Sequence, residues 1–301
     1  MRAVLLLLAI ASTVLAFYQN PTLPDVLAAR ASFAACRIDY AINNLNSISR
    51  CYSENGASPP DFSLYTSALQ ADKSALQSAA NRSEFQAALD RMRSDLQAAF
   101  QAVRGLRGQP GLNASQRAAV LACARSQRSA HNATLGGCIS SAIEAAKAAS
   151  KSFINNQITR ANEDIANLSG RGIDTAALSA LVGGGNGLLT EVDAVSNAFG
   201  FHSIALQDSR LAVNYRLERI LAILRWAQPQ LAASNNTNKD EIVSRMGALQ
   251  GTVQSTLAQC PVSSDTSDPE AYREKNSECW SELRTIAQEA QAIRELVRTG
   301  R

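Results

Sequence analysis

The chain of 301 residues contains 29 lysines and arginines and 26 aspartates and glutamates, which gives a formal net charge of +3 at pH 7. This near balance does not predict a nucleic-acid partner, for which a strongly basic domain is typical. Alanine accounts for 52 residues, and most of the other abundant residue types are good helix formers. Because no convincing run of alternating β-branched and aromatic residues is present, the composition predicts an all-α protein.

The N-terminus has the layout of a secretory signal peptide. Arg2 precedes an uncharged apolar run over 3–16, and Val14 and Ala16 occupy the −3 and −1 positions of a small-residue cleavage site before Phe17. A membrane anchor is the alternative, but the run is shorter than the ~18–20 residues that a spanning helix needs. We therefore predict that the segment is removed and that the mature chain is soluble and secreted.

Residues that begin and end helices divide the rest of the chain into about eight predicted helices. Ser83 and Gln86 form a capping box, Asp268-Pro269 places proline in the first turn of the last helix, and the glycine-rich run 183–187 predicts a flexible break. The predicted helices cover about 25–53, 61–80, 84–107, 113–168, a short stretch from 174, 188–227, 238–260 and the chain from 268 onwards.

These elements predict an elongated multi-helix bundle of about eight helices, stapled by disulfides. We divide the chain into a signal peptide, 1–16, N-terminal helical hairpins, 17–110, and a C-terminal helical bundle, 111–301. One continuous bundle is the alternative to the last two. Pro229 is predicted to kink or end the helix that precedes it.

Six cysteines, all in the predicted mature chain, indicate disulfides, because an even number is typical of exported proteins. Cys36 and Cys51 are separated by fourteen residues, and so are Cys123 and Cys138. A continuous helix would hold Cys36 and Cys51 about 22 Å apart, whereas a disulfide needs Cα atoms within about 7 Å. Two antiparallel helices would instead join Cys36 to Cys138 and Cys51 to Cys123. Two local disulfides within copies of an internal duplication, Cys36–Cys51 and Cys123–Cys138, are the alternative.

Cys260 and Cys279 pair with each other under either arrangement. The spacing of the six cysteines argues against other uses. Zinc sites prefer cysteines separated by two to four residues, and a redox site would need Cys-x-x-Cys. We therefore predict no metal site.

Catalytic motifs are not found either. His131 and His202 are the only histidines, and neither lies in His-Glu-x-x-His or has the glutamate three residues earlier that a di-iron bundle uses. The run 183–187 lacks the Gly-Lys-Ser/Thr ending of a phosphate loop. The acidic pair Glu163-Asp164 is interpreted as part of a solvated helix face. We predict a protein that is not an enzyme and binds no cofactor.

Five Asn-x-Ser/Thr sequons are candidates for N-glycosylation. Four of them fall at predicted helix ends or in loops, where an acceptor asparagine has to be exposed. The acceptor residues are Asn81, Asn113, Asn132, Asn167 and Asn235.

Two further segments have an interpretation beyond packing. The uncharged segment 175–190 is interpreted as a buried corner between helices, with a membrane-inserting tip as the alternative. In 210–226, Arg216, Arg219 and Arg225 are interpreted as a solvated face rather than a basic site for an anionic partner, because Glu218 lies among them.

The sequence therefore predicts a secreted or cell-surface-associated helical scaffold that binds a protein or surface partner without catalysing a reaction. A membrane-active helical protein that uses segment 175–190 is the alternative, although membrane contact is not expected.

Overall fold

The computed structural model describes residues 23–106, 112–262 and 268–300, and over these ranges it confirms the prediction of an all-α protein. The described residues form eight helices and no strand. The predicted signal peptide, 1–16, and its cleavage site lie outside them. The helices are α1 (Leu23–Glu54), α2 (Ser63–Ser78), α3 (Arg82–Gly105), α4 (Ala114–Ser169), α5 (Ala176–Ala194), α6 (Ala198–Ala232), α7 (Lys239–Gln259) and α8 (Pro269–Thr299).

The contacts divide the chain into two compact units, with the boundary between Ala149 and Ser150, inside α4. This differs from the division that we predicted at 110/111. The reason is that the first part of α4 is bonded to α1 through two disulfides, so this part groups with the helices before it. We call Thr22–Ala149 the N-terminal unit and Ser150–Arg301 the C-terminal unit.

The N-terminal unit has its core among α1, α2 and α3. Its side chains recur at helical spacing along each helix, as amphipathic helices require. An ion pair between Lys73 of α2 and Asp39 of α1, 2.7 Å between Nζ and Oδ1, lies at the edge of this core. The buried members of the core are Ala31, Ala34, Ile38, Leu45, Phe62, Leu69, Leu76, Phe85, Ala88, Met92 and Ala99.

The cap that begins α3 lies two residues before the one we predicted. Asn81 is the capping residue, and its Oδ1 accepts a hydrogen bond of 3.0 Å from the backbone N–H of Glu84. Glu84 in turn accepts from the backbone N–H of Ala80 at 2.9 Å. This reciprocal pair takes the place of the Ser83–Gln86 box, because asparagine at 81 is also a strong N-cap and has glutamate three residues later.

The C-terminal unit is built from the end of α4 and from α5 to α8. Its main core lies around α6, which contributes residues to it from Val213 to Leu231. The buried members of this core are Leu168, Ile173, Leu178, Val213, Leu217, Ile220, Leu221, Ile223, Leu224, Ala227, Leu231, Ile242, Met246, Leu249, Val253, Cys260, Cys279, Leu283, Ile286, Ile293 and Val297.

The flexible break predicted at 183–187 is wrong, because this run lies inside the continuous helix α5. A Cβ at Gly184 would lie 3.0 Å from Leu211 of α6, and one at Gly185 would lie 3.2 Å from Ile158 of α4. The glycines therefore let α5 approach two neighbouring helices closely. The helix ends before 195–197 instead, and α6 continues for three residues past Pro229.

Candidate functional site

Three disulfides join the six cysteines, as predicted, and no described cysteine is a free thiol. The crossed pairing is the one found. Cys36 is bonded to Cys138 and Cys51 to Cys123, each with Cα atoms 5.8 Å apart, so the equal intervals reflect the antiparallel packing of α1 and α4.

The third disulfide joins Cys260, at the end of α7, to Cys279 of α8 with Cα atoms 6.0 Å apart. Both of its cysteines belong to the buried core of the C-terminal unit. It closes the shortest of the three loops, with a sequence separation of 19 residues.

One group of side chains in the described residues has the spacing of a metal site. The ligand atoms of Cys51, Glu54 and Cys123 lie within 4.8 Å of one another. The two sulfurs are bonded to each other, however, and only a thiolate is a metal ligand. The oxidised protein therefore offers a single carboxylate here, and that carboxylate already lies 3.5 Å from Arg50.

His131 contacts a serine across the interface of α1 and α4. Its Nε2 lies 2.8 Å from Oγ of Ser47, a distance that would suit a nucleophile and its general base. Ser47 lies inside α1, where the helix itself uses the backbone N–H groups, so the neighbouring amides of α1 are not available as oxyanion donors. We interpret the pair as an interhelical hydrogen bond. The side chain of His202 lies outside the described residues.

The three arginines that we interpreted as a solvated face, Arg216, Arg219 and Arg225, do not form one face. Arg219 makes two hydrogen bonds to Asp164 of α4, of 2.6 Å and 3.1 Å. Tyr215 donates to the same carboxylate at 3.2 Å, and burial, followed by the charge of Asp164, raises the pKa of its hydroxyl. Asp164 thus joins α4 to α6 through hydrogen bonds. This corrects the interpretation of Glu163-Asp164 as part of a solvated helix face.

Arg216 lies against α8, with its guanidinium carbon 5.2 Å from the ring centroid of Trp280. Burial, followed by the charge of Arg219, lowers the pKa of Arg216 to about 9. Of the three arginines, only Arg225 is exposed. The prediction of a solvated basic face is therefore wrong for two of its three members, because both are used in packing between helices.

A polar network inside the C-terminal unit was not predicted from the sequence. Oγ of Ser209 accepts hydrogen bonds from Asn276, at 2.8 Å, and from Trp280, at 3.0 Å. Arg210, buried in the same region, donates to Asn276 at 3.0 Å. Asn276 and Trp280 are one helical turn apart, and this spacing is the only sequence feature that could have indicated a shared partner.

Asp72 is a buried acid of the N-terminal unit. Arg91 of α3 lies 3.7 Å from its Oδ1, and its Oδ2 has no hydrogen-bond partner in the described residues. Burial, followed by the neighbouring Asp95, raises the pKa of Asp72. Asp72 and Asp95 lie on the packed interface between α2 and α3, and we assign them no catalytic role.

The uncharged segment 175–190 lies mostly in α5. Its leucines 178 and 188 are buried, and its exposed positions are mainly alanine and glycine. Among the described helices, none is both long enough and apolar enough to cross a membrane.

All five sequon asparagines are exposed. Asn81 and Asn113 lie immediately before α3 and α4, Asn167 lies in the last turn of α4, and Asn235 lies between α6 and α7. Asn132 lies in the interior of α4. This arrangement agrees with the expectation that four of the five occupy helix ends or loops.

Comparison of the chain with protein-family models, with curated proteins and with solved structures finds no match.

Proposed function

We propose that the chain is a secreted or cell-surface-associated helical scaffold that works by binding a partner and not by catalysis. The observation that carries this proposal is the complete pairing of its six cysteines. Structural disulfides form and persist in oxidising compartments and are rare in the cytosol. The signal-like N-terminus and the five exposed sequons support the same location.

The proposed mode of action follows from how the N-terminal unit is built. Two disulfides hold α4 to α1, and they close loops with sequence separations of 102 and 72 residues. Such links restrict the unfolded chain, and closing either loop on its own stabilises the fold by about 4–5 kcal/mol in the chain-entropy model. A helix anchored in this way presents its outer side in one conformation, which lowers the entropic cost of binding.

We also propose that the protein is a glycoprotein. The exposed acceptors at helix ends are accessible to a transferase, and a glycan there would leave the cores of both units unchanged. Glycans near helix ends would restrict the partner to the helix faces between them.

The test is to produce the full chain in cells with a secretory pathway and to analyse the medium. We expect a protein that begins at Phe17, has no thiol that can be alkylated, and loses mass on treatment with a glycosidase specific for N-linked glycans. A chain that is retained in the cytosol with Met1 and reactive thiols would contradict the proposed location. Capture of partners from the native extracellular medium, with the reduced and alkylated protein as control, then tests the binding role.

A further inference from the structure

Positive charge is concentrated in one part of the chain. The stretch 96–143 contains five arginines and no aspartate or glutamate. The N-terminal unit, Thr22–Ala149, has 13 lysines and arginines against 9 acidic residues, whereas the C-terminal unit has 15 against 17. The small net charge of the chain is therefore the sum of a basic N-terminal unit and a slightly acidic C-terminal unit.

Three of these arginines share the exposed side of α4. Arg117, Arg125 and Arg128 are all exposed, and at 100° per residue they lie within an arc of about 80°. Leu121, which is 49% exposed, lies in the same arc. We call this set of three arginines the arginine stripe. Cys123 and Cys138, which join α4 to α1, lie outside this arc, about 120° and 60° from Arg117 around the helix, so the disulfides leave the stripe facing solvent.

The stripe does not stabilise the fold through ion pairs. None of its arginines pairs with an acid among the described residues, whereas Lys275 and Arg298 of α8 lie 2.8 Å and 2.9 Å from glutamates on their own helix. Arg117 is also the fourth residue of α4, close to the positive end of the helix dipole, where a cation is unfavourable. Because no acid among the described residues engages these arginines, their guanidinium groups are available to a partner outside the fold.

The chemistry of the stripe favours a linear anionic partner. The guanidinium group binds sulfate, carboxylate and phosphate oxygens through two parallel hydrogen bonds. Arg117 and Arg125 are about 12 Å apart along the axis, and Arg125 and Arg128 about 4.5 Å, so the charges form a line and not a pocket.

Other anionic partners fit this surface less well. A protein interface needs a buried centre of aromatic or apolar residues, and a helix lying in a membrane needs a broad apolar face. Within 117–128, the arc that holds the stripe offers only Leu121 as an exposed large apolar residue for either purpose. Single-stranded nucleic acid needs aromatic residues for stacking, and the arc contains none.

We propose that the arginine stripe binds a sulfated polysaccharide. This inference rests on the proposed function, because polysaccharides of this kind are partners for an exported protein, and it names the chemistry of one partner. Binding is electrostatic and releases counterions, so it weakens as salt increases.

The experiment measures retention of the oxidised, secreted protein on immobilised heparin, together with the dissociation constant for heparin as a function of NaCl. We expect retention at the physiological ionic strength of about 0.15 M. The triple variant Arg117→Gln, Arg125→Gln, Arg128→Gln should elute at lower salt, and the slope of log K against log[NaCl] should fall by about 2–3. Far-UV circular dichroism should be unchanged, because these side chains make no hydrogen bond or ion pair within the described part of the chain.

The matched control removes the same charge from the C-terminal unit. Arg160, Arg225 and Arg284 are exposed, and no acid pairs with them among the described residues; their triple glutamine variant should elute with the wild type. A second control, Thr134→Ala, destroys the Asn132 sequon, which lies in the same arc as the arginine stripe. Comparing it with the wild type shows whether a glycan beside Arg128 blocks binding.

Equal losses in the two triple variants would overturn the assignment to the stripe. Failure of the wild type and of Thr134→Ala to bind heparin at 0.15 M NaCl, or tighter binding to polyglutamate or to anionic lipid vesicles than to heparin, would overturn the polysaccharide. None of these results bears on secretion, disulfide pairing or capture of other partners, so the inference can fail while the proposed function stands.

Discussion

Asp208 shows how much a single residue of α6 can depend on its surroundings. Its carboxylate faces α4 and accepts one hydrogen bond of 3.2 Å from Gln157. Burial raises its pKa to about 6, and the bond from Gln157 only partly opposes this shift. The unfolded chain would release the same proton near pH 3.9, the ordinary value for aspartate.

The sign of the resulting pH dependence follows from this difference. The folded protein binds the proton more tightly than the unfolded chain, so the contribution of Asp208 to stability is complete below about pH 4. It is lost as the pH rises through about 6. We expect Asp208→Asn, which keeps an acceptor for Gln157, to raise the free energy of unfolding at pH 8 by about 1–3 kcal/mol and to leave it unchanged at pH 4. Urea unfolding at the two pH values measures this.

Glu163→Gln, which removes a carboxylate from the exposed side of α4, is the control for Asp208→Asn. An Asp208→Asn protein that follows the wild-type pH profile would contradict the burial of this carboxylate.

Single residues also show where sequence reasoning succeeds and where it stops. Because a helix has a fixed rise per residue, equal intervals in the sequence are equal distances along two antiparallel helices. The observed cysteine pairing was therefore among the predicted alternatives. The roles of Asp164, Arg216 and Ser209 could not be predicted. Each role depends on which helix packs against the residue and on how far that helix is shifted along its axis. A sequence pattern defines one face of a helix and not its neighbour.

At the scale of the element, the start of α3 offers a sharp test. Asn81→Ala removes the acceptor for the N–H of Glu84, and we expect a loss of about 1 kcal/mol in unfolding free energy. Ser83→Ala, at the cap favoured by the sequence pattern, should cost less than about 0.5 kcal/mol. Both changes destroy the same sequon, so any effect of a glycan cancels in the comparison. If Ser83→Ala proves the more costly, Ser83 and not Asn81 caps the helix.

The glycine-rich part of α5 gives a second test at this scale. A Cβ at Gly183 meets no atom within 4 Å, so Gly183→Ala should stabilise the protein by about 0.5–1 kcal/mol through helix propensity. A Cβ at Gly185 would lie 3.2 Å from Ile158, and we expect Gly185→Ala to lower stability by up to about 2 kcal/mol through overpacking. Thermal unfolding compares the two variants.

Equal gains at the two glycines would mean that α5 does not pack closely on α4. This run was interpreted as a break because glycine usually interrupts helices. The need for small residues at a close approach could not be predicted, since it depends on the helices packed against them.

For the whole molecule, the helix count and most helix boundaries follow from caps, proline and apolar periodicity. The division into units does not, because it depends on covalent links between residues far apart in the sequence. Disulfides between α1 and α4 assign the first part of a single 56-residue helix to the N-terminal unit. This link also fixes which side of α4 faces solvent, and hence the position of the arginine stripe.

Mass spectrometry of non-reduced tryptic peptides tests this arrangement most directly. Cleavage after Arg50 separates Cys36 from Cys51, and cleavage after Arg125 and Arg128 separates Cys123 from Cys138. We predict one linked pair of peptides that contains Cys36 and Cys138, and a second that contains Cys51 and Cys123. A bond between Cys36 and Cys51, or six thiols that can be alkylated in the native secreted protein, would contradict the antiparallel pairing of α1 and α4 and the account built on it.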